Sequence, residues 1–350
     1  MKIMHSAVAG IAAATVFGLA ASATAGGHKM DLKSLYRGKT VTILVGYGAG
    51  GTYGQTSQLL SAHIGKAIPG KPNVVVQYMP GAGGIKAANY AANVMPGNGL
   101  NLFMPPEMTL VTEALRPKKV KFKTTDFSWL GRVFGGNQVM AARRDSGILN
   151  VDDAKKKSIQ VASTGQGSPT FLVPAMMNGL LGTKFKIVKG YKGSANTTLS
   201  VEQGETMGMS NSWVSWQKNR GSWLKGGDKS FLVLLAQIGF TKEKELPNLP
   251  LLTELASSKT DKAAAALLST ASIIGRGLTL PPSANKGLIE PLRGAFWKAV
   301  SSDAFKADTK KRNLVYDPIK GEDIQAILVK TRNDLSAEVK AKAVKSVFGK

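Results

Sequence analysis

Cysteine is absent from the 350 residues of the chain. That excludes disulfides, thiolate metal sites, cysteine nucleophiles and a lipid-bearing cysteine behind a leader. Histidine is nearly as scarce, with His5, His28 and His63 as the three in the sequence. His5 belongs to a leader-like stretch and His28 follows it closely. His63 stands alone on a helix-like run and reads as a surface or packing residue. Histidine-based metal sites and catalytic triads therefore find no support, and neither a metal nor a catalytic residue is assigned.

Acidic residues are few, and one long segment has none. The chain carries 22 Asp+Glu against 46 Lys+Arg, a formal net charge of +24. Between Asp31 and Glu107 there is no Asp or Glu at all. A pocket built from that segment brings no fixed negative charge of its own, which favours an anionic ligand. The excess of positive charge draws anions and polyanions. Yet the lysines are scattered, with short clusters such as Lys155-Lys156-Lys157 and Lys310-Lys311-Arg312. No base-stacking motif and no basic helix with interleaved aromatics accompanies them, so nucleic acid is not an expected partner and most of these charges read as solvated surface.

Long apolar runs are missing too. The one candidate, Ala7 to Ala21, follows Lys2 and His5 and is too short to span a bilayer comfortably. It ends in Ala23-Thr24-Ala25, the small-x-small pattern of a signal peptidase site. Residues 1–25 are thus expected to be a signal peptide, cleaved after Ala25, and the mature chain to be an exported, soluble, periplasmic protein.

What the chain does have is a pair of glycine-rich turns, each between a β-branched run and a helix-like run. Val41-Thr42-Ile43-Leu44-Val45 leads into Gly46-Tyr47-Gly48-Ala49-Gly50-Gly51-Thr52. Val74-Val75-Val76-Gln77-Tyr78 leads into Met79-Pro80-Gly81-Ala82-Gly83-Gly84. The order strand, glycine turn, helix start aims backbone N–H groups and a helix N-terminus at one spot, where an anion can bind. Helical spacing over Gln55–Ile68 and Ile85–Val94 and a third apolar run at Leu100–Met104 continue an alternation that implies a parallel, doubly wound sheet.

Around Trp129 to Arg144 the character changes, with Gly135-Gly136 bracketed by apolar runs, and the alternation restarts. Strand Ser158–Ala162, turn Ser163 to Ser168 and a helix opened by Pro169 follow; proline at a first helical turn marks an N-terminus. Strands are expected at Lys186–Lys189, Thr206–Ser210 and Phe231–Ile238, and a helix at Ala263–Leu268. Ser272-Ile273-Ile274 with Arg276–Leu280 reads as a strand returning to the first unit, ahead of C-terminal helices over Leu288–Val300 and Ile324–Leu335. One lobe, 31–132 plus 271–350, would be interrupted by another, 133–270.

Two enzyme readings fail on the residues. Gly46-Tyr47-Gly48-Ala49-Gly50-Gly51 satisfies the dinucleotide fingerprint literally, but the second strand ends in Gln77-Tyr78 and no acid is near to hold a ribose. No Gly-Lys-Ser/Thr follows the glycines, so the phosphate loop of nucleotide hydrolases is absent. No cofactor is implied.

The motifs resemble those of the periplasmic solute receptors of tripartite tricarboxylate transporters, the Bug family. Gly50-Gly51 fill the Gly-Gly of its first turn. Met79-Pro80-Gly81-Ala82-Gly83-Gly84 matches its Arg-Pro-Gly-Ala-Gly-Gly, with Met79 replacing the arginine. Ala162-Ser163-Thr164-Gly165-Gln166-Gly167-Ser168-Pro169 matches Ala-Ser-Ser-Gly-x-Gly-Ser-Pro, and Tyr191-Lys192-Gly193-Ser194-Ala195 stands intact. The resemblance covers nearly the whole mature chain. It implies an α/β, two-lobed type II flytrap, each lobe a mostly parallel sheet flanked by helices, with an organic carboxylate bound between the lobes. It further implies a monomer without enzymatic activity that delivers its ligand to membrane subunits.

On that resemblance the expected ligand contacts are Tyr47, Gly50, Gly51, Thr52, Ala82, Gly83 and Gly84 from the first lobe, gripping largely by backbone N–H groups. From the second lobe they are Ser163, Thr164, Gln166 and Ser168, with Asn196 and Ser210-Asn211-Ser212 as selectivity groups or, equally, as capping and turn residues. Gly54 stands where many relatives have an aspartate, which argues against an amino-acid ligand. Tyr47, Tyr53, Trp213 and Trp216 are placed either to sandwich a flat acid or to pack in the core. A receptor feeding a sensor kinase would share this fold and ligand. A nucleotide-binding enzyme and an exported polyanion-binding protein are the other readings.

Overall fold

The computed structural model describes residues 31–349. The leader, its cleavage after Ala25, His5 and His28 lie outside the described residues. Among those described, no helix is long and apolar enough to cross a membrane.

The strands are β1 (Thr40–Val45), β2 (Asn73–Tyr78), β3 (Asn101–Met104), β4 (Ser128–Phe134), β5 (Gln138–Arg143), β6 (Ser158–Ser163), β7 (Lys184–Lys189), β8 (Gly208–Ser212), β9 (Leu232–Ile238), β10 (Arg276–Leu280) and β11 (Ile319–Lys320). The helices are α1 (Leu32–Tyr36), α2 (Thr52–Ala67), α3 (Ile85–Asn93), α4 (Thr109–Leu115), α5 (Val151–Lys156), α6 (Pro169–Leu181) and α7 (Ser194–Glu202). They continue as α8 (Trp213–Arg220), α9 (Leu252–Leu255), α10 (Lys259–Ile274), α11 (Ile289–Ser301), α12 (Asp303–Lys311), α13 (Gly321–Asp334) and α14 (Ala337–Phe348).

One sheet runs in the order β11-β4-β10-β3-β1-β2; a second holds β8-β5-β9 and a third β6-β7. β1 is an interior strand, and Val41, Ile43, Leu44 and Val45 are all buried, as a β-branched run covered on both faces requires. β2 is an edge strand, and its residues alternate between exposed and half-buried. The expectation of mostly parallel sheets needs correction. β1 pairs parallel with β2 and β3, and β6 with β7, but β4, β10 and β11 join antiparallel, as do β5, β8 and β9. The cause lies in the connections. β4 and β10 are not joined by a β-helix-β crossover, because the whole of β5–β9 is threaded between them.

The chain leaves the first sheet after Phe134 and returns at Arg276, and the two crossings run side by side. Gly275 ends α10 with φ +51, and a side chain there would sit 2.0 Å from the Phe134 carbonyl oxygen. Ser272–Ile274, expected as strand, is instead the last turn of α10. A β-branched pair at a helix end is decided by packing; Ile274 is wholly buried against Leu110, Trp129 and Leu328. The Arg132 guanidinium caps that helix end. It donates to the Ser272 and Ile273 carbonyls and pairs with Asp317, satisfying acceptors that a helix C-terminus leaves open.

The final helix also departs from expectation. The reading of 271–350 as one lobe put α14 with the first sheet, but α14 packs on α6 and α10. Ala343 and Val347 are buried among Phe171, Met176 and Leu268, and Gly179 of α6 lets the Ser346 backbone approach where a Cβ would meet it at 2.2 Å.

Candidate functional site

Helix starts converge on a cavity at the C-terminal ends of β1 and β6. Gly51 is the N-cap of α2, Ser168 of α6 and Gly193 of α7, and none of these ends is capped by a side chain. At α2 the first-turn N–H groups meet no capping side chain; at α6 Pro169 has no N–H and Phe171 N–H turns back to the Ser168 carbonyl, and at α7 Asn196 N–H turns back to the Gly193 carbonyl. Each N-terminus still carries roughly half a positive charge. Gly51, Thr52, Ser168, Pro169, Thr170 and Ser194 all line the cavity. It encloses about 30 Å³ of space open to the centre of a water molecule.

The two walls touch directly. Gly48 N–H donates to the Lys192 carbonyl at 3.3 Å, and Gly167 N–H to the Ala82 carbonyl at 3.2 Å. Thr52 Oγ1 lies 2.6 Å from Ser215 Oγ, which lies 2.7 Å from Ser212 Oγ. Ser212 Oγ in turn accepts from Arg276 Nη2 at 3.0 Å. A chain of hydroxyls thus links the start of α2, the start of α8 and the start of β10.

Arg276 ends that chain in a buried ion pair. Its Nη1 is 2.9 Å from Glu107 Oε2, and the two side chains are 3% and 4% exposed. The guanidinium lies over the Tyr53 ring, 4.9 Å from its centroid, and the Tyr53 ring packs tilted against Tyr47, with centroids 4.6 Å apart. Glu107 N–H donates to Tyr53 Oη at 2.7 Å, and Tyr47 Oη donates to the Gly83 carbonyl at 3.0 Å. Burial pushes the Glu107 carboxyl above its ordinary value, with Arg276 and the Gln138 side chain opposing. Burial raises both phenols as well, and the neighbouring Glu107 adds to the rise.

Of the residues expected from sequence, Tyr47, Gly51, Thr52, Thr164, Ser168, Ser210 and Asn211 line the cavity. The others stand elsewhere. A side chain at Gly50 would face Ala195, not the cavity. Ala82 and Gly83 form the seam against the turn after β6, because Gly83 and Gly165 let two backbones approach within hydrogen-bonding range, while Gly84 faces Pro106 and the Tyr47 hydroxyl. Ser163 lies beneath the wall; its Oγ accepts from Gly165 N–H at 3.1 Å and shapes the turn. Gln166 borders a separate groove with Arg116, Lys118 and Phe348, and Asn196 is exposed on the first turn of α7. Trp213 and Trp216 are core residues, Trp216 donating from Nε1 to the Val139 carbonyl, so only the tyrosines offer aromatic surface to the cavity.

Glu107, Gln138, Thr170, Ser194 and Arg276 also line it and were not singled out from sequence. Glu107, at the end of the acid-free segment, brings the cavity a fixed negative charge that the turns themselves do not. Its signal was legible: a lone acid after Phe103-Met104-Pro105-Pro106, and a lone base after Ile273-Ile274-Gly275, are charges inside apolar strand-like runs. At Gly54 a Cβ would stand 2.0 Å from the Ala49 carbonyl oxygen, so the turn as folded has no room for an aspartate there.

No family model matches the sequence, and no curated protein matches it. Solved structures do. The periplasmic binding protein BugD superposes with a TM-score of 0.66 at 18% identity, over 85% of this chain and 95% of that one. MatC from Rhodopseudomonas palustris, with bound malate, gives 0.64 at 17% identity over 88% and 99%. The R. palustris protein Rpa4515, with adipate, gives 0.66 at 16% identity over 88% and 97%. At these identities the likeness establishes the fold: two α/β lobes of the periplasmic-binding-protein type.

Proposed function

We propose that this chain, with the two-lobed fold of periplasmic binding proteins, is a receptor for a small organic carboxylate, of the kind that serves tripartite tricarboxylate transporters. The observation that carries this reading is the meeting of three uncapped helix N-termini at one polar cavity between the lobes. Oriented N–H groups hold a carboxylate through charge-assisted hydrogen bonds without a dedicated cation. The ligands of the neighbouring structures, malate and adipate, are carboxylates, which supports the same class here.

Binding without chemistry follows from the same parts. The titratable side chains lining the cavity are the paired Glu107 and Arg276 and two phenols whose protons burial holds. The water-accessible space exceeds what one water needs and falls short of a multi-carbon acid. A ligand therefore enters, and is held, with the lobes further apart than they stand here, and the contacts from Thr52 to Arg276 shift to enclose it. The closed surface is what a membrane permease would read. Export through a leader ending at Ala25 would deliver the receptor to the periplasm.

A thermal-shift screen of the purified protein tests the reading. The library holds mono-, di- and tricarboxylates, aromatic acids, amino acids, nucleotides and a DNA oligomer. Binding to the folded state alone raises the melting temperature once ligand exceeds its dissociation constant. Stabilisation by carboxylates is the expected result; stabilisation by nucleotides or DNA with every carboxylate silent would overturn it.

A further inference from the structure

The cavity contains one fixed positive side chain, and that charge is already taken. Arg276 faces Glu107 through both terminal nitrogens, at 2.9 Å and 3.5 Å, and the pair is shut away from solvent. What Arg276 still offers is a donor without a partner: its Nε is buried and makes no hydrogen bond within the protein. Ser210 Oγ, on a wholly buried residue that also lines the cavity, is likewise unpartnered. A buried polar atom left so is costly unless something binds it.

Two kinds of anchor therefore share the cavity. The helix N-termini carry uncompensated partial positive charge, and their field fades within the first turn. The Arg276–Ser210 anchor carries hydrogen-bonding capacity and no net charge. A second carboxylate placed there would lie beside Glu107 in a dry site, where like charges repel with little screening. A carbonyl, amide or hydroxyl would satisfy Nε and Ser210 Oγ without meeting that repulsion.

Resting on the carboxylate-receptor reading, we infer that the ligand is a monocarboxylate with a neutral hydrogen-bonding group at its far end: a keto, hydroxy or amido acid and not a dicarboxylate. Glu107 is then the selectivity residue. It touches no ligand charge directly and acts by cancelling Arg276.

Isothermal titration of matched pairs tests this, each dicarboxylate against its monoamide: succinate and succinamate, glutarate and glutaramate, adipate and adipamate, terephthalate and terephthalamate. Amide and carboxylate differ little in size, so the pairs isolate charge. In the unmodified protein the monoamide of the best-fitting pair is expected to bind at least about tenfold more tightly. In Glu107→Gln, close to isosteric, Arg276 is left uncancelled, and the preference should reverse toward the dicarboxylate. Ser210→Ala should weaken the monoamide about fivefold and leave a simple alkanoate of equal length unchanged. A dicarboxylate that binds the unmodified protein as tightly as its monoamide, or a Glu107→Gln variant with unaltered preference, would overturn the neutral anchor while leaving a carboxylate receptor in place. Silence from every acid would overturn both.

Discussion

The turn after β1 brings Gly51 and Thr52 to the cavity, whereas the turn after β2 keeps Ala82, Gly83 and Gly84 out of it and seats Ala82 and Gly83 against the turn after β6. Both are strand, glycine turn and helix start. In the first the glycine sits at an N-cap with φ −89°, a conformation open to most residues, and its value is a bare N–H edge facing the cavity. In the second, Gly83 has φ +70° and its missing side chain admits the Ser168 backbone. One turn borders the cavity and the other meets the turn after β6. Glycine richness alone does not distinguish these two uses; the neighbours of the missing Cβ do.

The largest effect expected belongs to the pair on which the first turn rests. Arg276→Met removes the charge beneath Tyr53 and strands Glu107 in a dry site, a loss of about 3–5 kcal/mol of stability at neutral pH. The sign of its pH dependence follows from the raised Glu107 pKa. The folded protein holds that proton more tightly than the unfolded chain, so this group's contribution declines as pH climbs from the ordinary carboxylate range toward the folded value. Arg276 opposes the rise, so its removal extends the window upward. Urea melts from about pH 4 to about pH 8 should show the gap between variant and parent widening with pH; a gap of constant size would mean that Glu107 is not the stranded group.

The two turns can then be set against each other. Gly83→Ala places a Cβ 2.5 Å from the Ser168 amide nitrogen and forces alanine to φ +70°. Left-handed strain and the loss of a seam hydrogen bond together cost closure ~2–3 kcal/mol, roughly a 30- to 150-fold loss of affinity. Gly51→Ala meets the Ser194 hydroxyl at 2.4 Å, but that hydroxyl can rotate away, and φ there suits alanine. Its affinity should fall by no more than about threefold. Titration calorimetry of both, with small-angle scattering to follow opening, decides the matter; equal losses would erase the distinction. Thr52→Val comes between them. It breaks the 2.6 Å contact with Ser215, and about fivefold weaker binding is expected.

Most of the frame is legible in the residue pattern. β1, β2 and β3, the crossing at Gly135-Gly136 and the Pro169 helix start all fall where their patterns put them. The antiparallel half of the first sheet was not readable, because strand direction depends on where a chain re-enters, and residue alternation carries no such information. Ser272–Ile274 misled for a related reason: β-branched residues at a helix end look like a strand until Arg132 is known to hold their carbonyls. At the site, the turns were legible through glycine and serine spacing. Arg276 and Glu107 were not paired from sequence, since 169 residues separate them and the fold alone brings them together. Gln166 sits within its motif and Asn196 directly after one, yet neither lines the cavity, because a motif fixes the backbone path more firmly than the direction of each side chain.

The smallest effect lies one residue from the largest of the turn substitutions. Ala82 has φ +51°, one of few non-glycine residues in the left-handed region among those described. Its side chain is exposed, and its carbonyl accepts from Gly167 N–H. Ala82→Gly relieves about 1 kcal/mol of backbone strain in the folded state. It also frees the unfolded chain, which costs about 0.4–1 kcal/mol. The two nearly cancel, so stability should stay within about 0.5 kcal/mol of the parent and affinity within about twofold. Adjacent substitutions of opposite kind, alanine into 83 and glycine into 82, would then give a severe loss and almost none. A clear loss from Ala82→Gly would mean that the Ala82 methyl, and not the backbone path, shapes the seam, and the second turn would have to be read as a side-chain contact after all.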